Sequence, residues 1–475
     1  MDKVVIDRRS LPVLFLIKYY KAFIFLIITA LFVVALNIDM EAKITVQGYR
    51  ALCVFLYCIA LWVSSVIPLA ITGLLAIVLI PTLGVQPEKV SYSFFGSEAV
   101  FFILGAFIIA AANKKSGLSE RASLEILSKS GGSKKKLILY LLLFSASLAF
   151  VMPEHAVAAI LFPVITDIVN TLGLKKGKDN FGKALYIALT WGCVTGGVAT
   201  YLGGARNPIA AGLLKEFSGE TIGFFTWMLA VMPAVFVMLI SAFLLLISFF
   251  KIDKEIIGSL NEVISAKKIE RGKITFLEVK VAIVTVLTII SWVLFKDFGI
   301  ANIALLSAVC MFLLNIISWQ DASSSIDWGV IIMYGGAISL GTAVMKTDAV
   351  SFLADSIIGV FQPTPFLLVT VFICLAIFLT EAIANSAVVL FLLPVALTLS
   401  SKFNVSPKVM TLCVAVPSGL AYMLPIGSPP NAICYSSGFY TIKEVAKAGF
   451  IMNIIAIIIL LIALKFYWHL IGLNM

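Results

Sequence analysis

The sequence predicts an all-α polytopic membrane protein, and three observations support that fold class. Of its residues, 61% are hydrophobic and only 13% are charged, a balance that soluble globular domains do not have. Apolar runs of about 20 residues, long enough to cross a bilayer as a helix, recur along the chain. Several of these runs are interrupted by proline, glycine or charged residues, which is typical of transporters rather than of simple membrane anchors.

The apolar runs predict about eleven transmembrane helices. A basic N-terminus precedes the first run, which lacks a small-residue cleavage site, so we expect a membrane span rather than a signal peptide. Nine spans are predicted to be continuous: 21–37, 50–66, 68–84, 98–113, 223–250, 277–295, 300–318, 329–345 and 448–471. Two are predicted to be broken helices, at 183–216 and 409–440.

The two broken spans contain backbone that cannot remain helical. One carries Gly203-Gly-Ala-Arg-Asn-Pro-Ile209. The other carries three prolines, which remove amide donors, and a flexible glycine: Pro425, Gly427, Pro429 and Pro430. Non-helical backbone at membrane depth is tolerated only where it lines a protein-walled cavity, and paired broken helices indicate the central site of a secondary transporter.

Two further apolar segments, 137–173 and 364–401, have polar residues near their middle. Pro153-Glu154-His155 interrupts the first, and Glu381 with Asn385-Ser386 interrupts the second. Each segment could be one poor span. We favour a re-entrant helical hairpin with the polar residues at its tip.

Basic residues predict the orientation. Of the 35 lysines and arginines, 25 fall in the segments 1–21, 114–136, 175–183 and 251–280 or at Lys443 and Lys447. The positive-inside rule therefore predicts a cytoplasmic N-terminus in the cell's inner (plasma) membrane, with the first hairpin opening inward and the second outward. The same clustering explains the net charge of +10 without a nucleic-acid partner, so membrane lipid is the expected surrounding.

The chain also reads as two copies of one pattern. Lys115-Ser116 and Lys346-Thr347, like Glu154 and Asn385, are 231 residues apart, whereas Asn207 and Asn431 are 224 apart. Equivalent spans are five apart in chain order. Because five is an odd number, equivalent spans cross the membrane in opposite directions, and we expect inverted repeats. The predicted organisation is an N-terminal segment with the first span (1–50), a first repeat (51–250), a cytoplasmic linker (251–276), and a second repeat with the last span (277–475).

Charged residues inside membrane segments are costly and usually functional. Repeat symmetry predicts that Glu154 and His155 lie near Arg206 and Asn207, and that Asn385 and Ser386 lie near the second break. Simpler readings stay open at this stage. Asn207 and Asn431 could cap the half-helices that follow them, and Glu381 could sit at a cavity mouth. Arg206 could extend to the cytoplasmic face, with Glu154 a protonated packing residue.

These residues resemble the divalent anion:sodium symporters, which carry dicarboxylates, citrate and sulfate. The similarity covers nearly the whole chain, and is strongest in Ser428-Pro-Pro-Asn-Ala-Ile-Cys-Tyr-Ser-Ser-Gly438, Ala448-Gly-Phe450, 196–207 and Asp327-Trp-Gly329. The resemblance implies eleven spans, two hairpins, a homodimer and elevator motion. It also implies hairpin tips of Ser-Asn-Thr type, which bind substrate and sodium.

The resemblance suggests two groups of site residues. Expected at the substrate are Glu154, His155, Arg206, Asn385, Ser386 and Pro430. Expected at a coupling cation are Gly203, Asn207, Ala384, Gly427, Ser428 and Asn431, with Na⁺ near Asn385 and Asn431.

The first tip departs from the family pattern, because it reads Pro153-Glu154-His155. Our hypothesis is that Arg206 supplies a fixed positive charge in place of one sodium, with Glu154 as its partner. His155, whose ordinary pKa is about 6.5, would be a proton-sensitive ligand. An uncancelled Glu154 charge would instead favour a monoanion, a zwitterion or a sulfonate as substrate.

The preferred function is secondary transport of small anions by alternating access, either sodium-coupled or as an exchanger. The alternative is a proton- or sodium-linked carrier of the arsenite or Na⁺/H⁺ type. No Gly-x-x-x-x-Gly-Lys-Ser/Thr loop occurs, so ATP drive is not expected. Two histidines cannot build a metal cluster, so we expect neither an enzyme nor a cofactor other than Na⁺ or H⁺ as coupling ion.

Overall fold

A computed structural model describes residues 11–38, 44–64, 66–253, 269, 272–295, 298–347, 349, 352 and 363–474. Across these ranges the chain is helical, and no β-strand occurs in them. Most of the predicted linker, 251–276, lies outside the described residues.

Eleven α-helices precede the linker: α1 Leu11–Leu36, α2 Val46–Ser64, α3 Leu69–Thr82, α4 Glu88–Ser93, α5 Glu98–Ser116, α6 Leu118–Ser128, α7 Lys134–Ala149, α8 Glu154–Thr171, α9 Asn180–Gly197, α10 Arg206–Ser218 and α11 Phe224–Phe249. Those described after it are α12 Phe276–Leu294, α13 Ile300–Leu313, α14 Trp319–Ser325, α15 Trp328–Met345, α16 Pro365–Leu379, α17 Asn385–Lys402, α18 Pro407–Ala415, α19 Pro429–Tyr435 and α20 Ile442–Ile462.

The described helices confirm a polytopic, all-α membrane protein. Seven of them are long and apolar enough to cross a bilayer: Tyr19–Leu36, Val46–Ser64, Glu88–Ser116, Phe224–Phe249, Phe276–Leu294, Asn385–Lys402 and Ile442–Ile471. The number rises to eight if Trp319–Ser325 and Trp328–Val344, bent by 58°, form one span. The count of eleven spans stays a prediction.

Helix breaks occur at all four places where the sequence predicts them. Helices α7 and α8 are separated at 150–153, α16 and α17 at 380–384, and α9 and α10 at 198–205. Between α18 and α19 the helix is lost except for a short 3-10 turn, Pro417–Gly419. Helix α19 ends at Tyr435, five residues before the predicted boundary, in a turn where Gly438 has a φ of +71°.

The chain forms two compact units. One comprises residues 1–95 and 332–353. Its helices α3 and the later part of α15 approach at Gly73, where an added Cβ would lie 3.0 Å from Met333 Cα. The Trp62 indole donates to the Leu69 carbonyl at 3.2 Å, which joins α2 to the start of α3.

The other unit comprises residues 96–331 and 354–475 and contains every predicted site residue. Its core includes the packed pair α7 and α9, and α5 packs on α13 where Gly105 meets Ala304. Buried tryptophans such as Trp191 and Trp227 donate their indole N–H groups to backbone carbonyls. A polar aromatic buried with its hydrogen bond satisfied makes for a well-defined core.

Candidate functional site

A buried ion pair joins the break between α7 and α8, the predicted first tip, to the break between α9 and α10. Glu154 is the first residue of α8 and Arg206 the first of α10. Arg206 Nη1 donates to Glu154 Oε1 at 3.1 Å and Nη2 to Oε2 at 2.9 Å. Their relative exposures are 4% for Glu154 and 2% for Arg206. The alternative in which Arg206 extends to the cytoplasmic face is therefore wrong, because a bidentate carboxylate holds the guanidinium inside the protein.

Backbone and glycines shape the place that the pair occupies. The Glu154 N–H donates to the Gly203 carbonyl at 2.9 Å, which fixes the tip against the helix break. A methyl group at Gly197 would collide with Glu154 Oε2, and one at Gly419 would collide with Arg206 Nε. These two positions therefore need glycine for close approach.

The break between α16 and α17, the predicted second tip, contacts the same carboxylate. Asn385, the first residue of α17, directs Nδ2 at Glu154 Oε1 over 3.3 Å. Asn385 Oδ1 accepts from the Thr380 hydroxyl at 2.7 Å, and that hydroxyl also lies 2.6 Å from the Ser418 carbonyl. The two tips, 231 residues apart in sequence, thus meet in one buried cluster.

An asparagine side chain bridges each of the two broken helices in the same way. Asn207 Nδ2 donates to the Gly197 carbonyl at 2.8 Å and to the Thr200 carbonyl at 2.6 Å. Asn431 Nδ2 donates to the carbonyls of residues 421 and 424 at 3.0 and 2.8 Å. In both cases the acceptors lie ten and seven residues earlier in the chain.

This geometry corrects the capping interpretation of Asn207 and Asn431. Their side chains bind carbonyls at the end of the preceding helix or within the break itself, where C=O groups lack helical partners, and they do not cap the helix that follows. Ser428 caps α19, since its hydroxyl accepts from the Asn431 N–H at 3.5 Å. Ala205 precedes α10 without a side-chain cap.

Each of these asparagines keeps one unused acceptor. Asn207 Oδ1 and Asn431 Oδ1 are buried and have no hydrogen-bond partner within the described chain. A buried amide oxygen without a donor is unfavourable, and an oxygen ligand suits a hard cation. We call Glu154, Gly203, Arg206 and Asn207 the first half-site, and Asn385, Gly427 and Asn431 the second half-site.

The half-site glycines lie in matching places. Gly203 packs on the Ala149 carbonyl, and an added Cβ at Gly427 would lie 3.1 Å from the Thr380 carbonyl. Both carbonyls belong to residues at or just past the end of α7 or α16. Ala384, also predicted at a cation, precedes α17 at its N-cap position.

Glu381 is buried, with 4% relative exposure, and binds the second broken helix. Its carboxylate accepts the backbone N–H groups of Tyr422 (2.8 Å), Met423 (3.0 Å) and Leu424 (2.9 Å). Asn453 Nδ2 of α20 adds a fourth donor at 2.9 Å. The expectation of a cavity-mouth residue is wrong, because successive unpaired N–H groups form a concave site for an anion, and Glu381 fills it.

The structure does not bring every predicted residue into this cluster. His155 is exposed on α8, and the charges that act on it belong to Asp327 and Lys114. One helical step rotates a side chain by about 100°, which separates His155 from Glu154. Ser386 is half-buried and Pro430 buried, and neither hydrogen-bonds to the ion pair within the described part of the chain.

Sequence reasoning missed Thr380 and Asn453. Thr380 directly precedes Glu381, and Asn453 is a polar residue within an apolar last helix. A systematic search for hydrogen-bonding side chains inside apolar segments would have found both.

Comparison with known proteins gives a consistent result. The family model described as "Sodium:sulfate symporter transmembrane region" matches residues 20–474. The sodium-dependent dicarboxylate transporter SdcS of Staphylococcus saprophyticus is 29% identical over 464 residues, covering 92% of this chain and 89% of that protein. SdcS of Staphylococcus aureus strain NCTC 8325 is 29% identical over 449 residues, covering 88% and 86%.

Two solved transporter structures have a similar fold. The YdaH transporter of Alcanivorax borkumensis aligns with a TM-score of 0.56 at 10% identity, covering 79% of this chain and 87% of that one. MtrF of Neisseria gonorrhoeae aligns with a TM-score of 0.54 at 12% identity, covering 78% and 82%.

Proposed function

Because this chain belongs to the sodium:sulfate symporter family, we propose that it is a secondary transporter of a small anion. The substrate class is a dicarboxylate, citrate or sulfate, and the relatives named for sodium-dependent dicarboxylate transport favour the first. The family match favours this function over the arsenite- or Na⁺/H⁺-type carrier.

One observation carries the proposal: the four helix breaks converge on a buried polar cluster. Glu154 lies at its centre, where it contacts Asn385 of α17 and Arg206 of α10. Polar groups of this kind inside a membrane protein mark the path of an ion or substrate. Broken helices that meet near the midplane supply its ligands.

The mechanism that we propose is elevator-like alternating access between two inverted repeats. It is supported by the matching hydrogen bonds of Asn207 and Asn431, which occupy the same positions relative to their helix breaks. Segments 137–173 and 364–401 are then re-entrant hairpins. The family resemblance adds eleven spans, a cytoplasmic N-terminus in the plasma membrane, and a homodimer, which light scattering of the purified protein would test.

The two half-sites would treat cations differently. In the second half-site, Asn431 Oδ1 and the carbonyls around Gly427 are oxygen ligands suited to Na⁺. In the first, the guanidinium of Arg206 would take the role of one sodium ion, with Glu154 as its counter-charge. At least one sodium then becomes dispensable.

The ion pair also bears on substrate charge. Glu154 would repel a dianion if its charge were uncancelled, but both of its oxygens accept from Arg206. A pair with no net charge permits a dianionic substrate, so a monoanion, zwitterion or sulfonate is not required.

Uptake into proteoliposomes tests this function. Labelled succinate and sulfate are offered with sodium outside, and in parallel with sodium replaced by choline. We expect saturable uptake of at least one dianion in sodium and a measurable residual exchange in choline. Complete loss in choline would contradict the role given to Arg206, and no uptake of any dianion in either medium would contradict the transporter itself.

A further inference from the structure

We propose that a basic surface on the unit formed by residues 96–331 and 354–475 binds an anionic phospholipid of the surrounding bilayer. This inference adds a partner to the proposed transporter and does not depend on which anion is carried. Three features of the described residues support it: lysines without an acidic partner, contacts that bring these lysines together, and an apolar row that continues from them.

Excess positive charge is the first feature. Three segments next to the ends of α7, α8, α9 and α20 hold nine lysines and two acidic residues: 134–136, 175–183 and 438–447. Lys134 pairs with Asp253 at 2.9 Å, and Lys183 pairs with Glu444 at 2.6 Å. The other acidic residue, Asp179, accepts from a backbone N–H. The remaining lysines form no ion pair within the described chain, and we call them the basic surface: Lys135, Lys136, Lys175, Lys176, Lys178, Lys443 and Lys447.

Contacts between the three segments are the second feature. The Gly177 N–H donates to the Phe439 carbonyl at 3.1 Å, which joins the connection between α8 and α9 to the segment before α20. The ion pair of Lys183 ties the start of α9 to the start of α20. Lys134 Nζ lies 6.0 Å from the centroid of the Phe181 ring, which joins α7 to α9. The seven lysines therefore belong to one continuous face of this unit.

An apolar row on α20 is the third feature. Lys443 and Lys447 are four residues apart, so they lie on one face of the helix. That face continues with exposed side chains: Ile451 is 42%, Ile454 38% and Ile458 51% exposed. Helix α20 opens a segment that is long and apolar enough to cross a bilayer. A row that passes from ammonium groups to apolar side chains matches a negatively charged headgroup followed by its acyl chain.

The position of the lysines favours a lipid over a free anion. They adjoin the ends of membrane helices, where a flexible lysine stem places its ammonium group at the level of the headgroups. The pattern of basic residues predicts that this face is cytoplasmic, and the cytoplasmic leaflet carries the anionic lipids. Lysines spread over three segments suit several headgroup oxygens at once. A bound headgroup would bridge α7, α9 and α20 and so stabilise their packing.

Thermal unfolding of the full-length protein in a non-ionic detergent tests this proposal. Phosphatidylglycerol or phosphatidylcholine with the same acyl chains is added at increasing concentration. A lipid that binds only the folded state raises Tm, so phosphatidylglycerol should raise Tm more than phosphatidylcholine does. Choline chloride should reduce the difference, because salt screens exposed charges. An equal rise with both lipids, or a difference that high salt leaves unchanged, would overturn the proposal.

Inorganic phosphate separates a lipid headgroup from a free anion. At the concentration at which phosphatidylglycerol acts, phosphate alone should leave Tm at its value without lipid. A rise equal to that with phosphatidylglycerol would assign the basic surface to a soluble anion and overturn the role of the lipid.

Two sets of substitutions assign the lipid to these lysines. Lys175→Gln/Lys176→Gln/Lys178→Gln removes three charges, and Lys443→Gln/Lys447→Gln removes two. The apparent Kd for phosphatidylglycerol, taken from the rise in Tm, should increase about fivefold per lysine removed, the value for a basic residue close to an anionic surface. These side chains are exposed and unpaired within the described chain, so Tm without added lipid should stay at the wild-type value. A wild-type Kd in both sets would overturn the proposal.

The matched control removes two exposed lysines of the other compact unit, Lys89→Gln/Lys346→Gln. It changes the net charge as much as Lys443→Gln/Lys447→Gln does and should keep the wild-type Kd for phosphatidylglycerol. An equal weakening in the control would show an effect of net charge alone and would contradict a lipid site at the basic surface.

Uptake of labelled succinate into phosphatidylcholine vesicles distinguishes lipid binding from attraction of the substrate. Without anionic lipid, both sets of lysine variants should keep the wild-type KM. A raised KM together with a wild-type response of Tm to phosphatidylglycerol would assign the lysines to the substrate instead. Absence of dianion uptake in the wild-type protein would contradict the proposed function, and the lipid-dependent Tm would still stand.

Discussion

The first and second half-sites share one backbone arrangement and differ in how they balance charge. Asn207 and Asn431 make equivalent pairs of hydrogen bonds to carbonyls ten and seven residues earlier in the chain. In the first half-site, the carboxylate of Glu154 is paired with a guanidinium. Beside the second, the carboxylate of Glu381 is held by three backbone N–H groups and one amide.

The different partners of Glu154 and Glu381 indicate two different roles for a buried carboxylate. The partner of Glu154 is the side chain of Arg206, which can release one anion and bind another by changing its rotamer. Glu381 has a fixed partner, because the N–H groups of a loop cannot leave without unfolding it. We infer that Glu154 takes part in binding, whereas Glu381 holds the loop that binding requires.

Removing Arg206 is expected to have the largest effect. Arg206→Ala leaves Glu154 buried without a counter-charge, which costs about 3–5 kcal/mol, and abolishes anion binding. Thermal unfolding in detergent should show a large fall in Tm. The double variant Arg206→Gln/Glu154→Gln, which removes both charges, should regain much of that stability. Equal Tm values for the single and double variants would contradict a buried ion pair.

Changing Glu381 is expected to have the next largest effect. Glu381→Gln replaces one acceptor oxygen by an NH₂ group that faces backbone N–H groups, which costs about 1–3 kcal/mol. Because the loop also carries the Leu424 carbonyl bound by Asn431, the sodium concentration for half-maximal uptake should rise. Asn453→Ala removes only one of the four donors. It should therefore change the stability and the sodium concentration for half-maximal uptake by less. An unchanged sodium dependence in Glu381→Gln would show that this loop does not shape the second half-site.

The paired variants Asn207→Ala and Asn431→Ala sharpen the comparison. Each loses two hydrogen bonds to carbonyls, at about 1 kcal/mol per bond, so similar decreases in Tm are expected. Only Asn431→Ala should raise the sodium concentration for half-maximal uptake, since the charge of the first half-site is built into the protein. Equal shifts in both variants would place a sodium ion in each half-site.

The smallest effect is expected at the exposed ion pair between Lys215 and Glu98. Glu98→Gln removes an interaction that solvent screens, so stability should change by about 0–1 kcal/mol and uptake should stay at the wild-type level. A large loss of uptake in this variant would assign the ends of α5 and α10 a role in transport.

Much of the fold was predictable because lipid imposes simple rules. Apolar runs and helix breakers located all four helix breaks within a few residues, since proline and glycine act locally. The end of α19 was less predictable, because Ser436, Ser437 and Gly438 form a turn that the apolar pattern does not register. The number of spans depends on lengths such as that of α3, Leu69–Thr82, that fall below the usual requirement.

The sequence predicted which residues belong to the site better than it predicted their hydrogen-bond partners. Rare charges inside apolar segments pointed to Glu154 and Arg206, and the repeat offset brought Asn385 toward them. The donors of Glu381 could not be predicted, because backbone N–H groups have no sequence signature. The direction of the asparagine side chains toward the preceding carbonyls depends on the exact path of each loop. His155 was misjudged because adjacent helical residues point in different directions.

Tyr422, in the second broken helix, is fastened to the first one. Its carbonyl accepts from the Trp191 indole at 3.2 Å, and its hydroxyl lies 2.7 Å from the hydroxyl of Thr195. A consequence follows for sequence variation in the two broken helices. A substitution of Tyr422 removes contacts made by Trp191 and Thr195, so these positions cannot vary independently. A chimera of two relatives would therefore need Trp191, Thr195 and Tyr422 from the same parent.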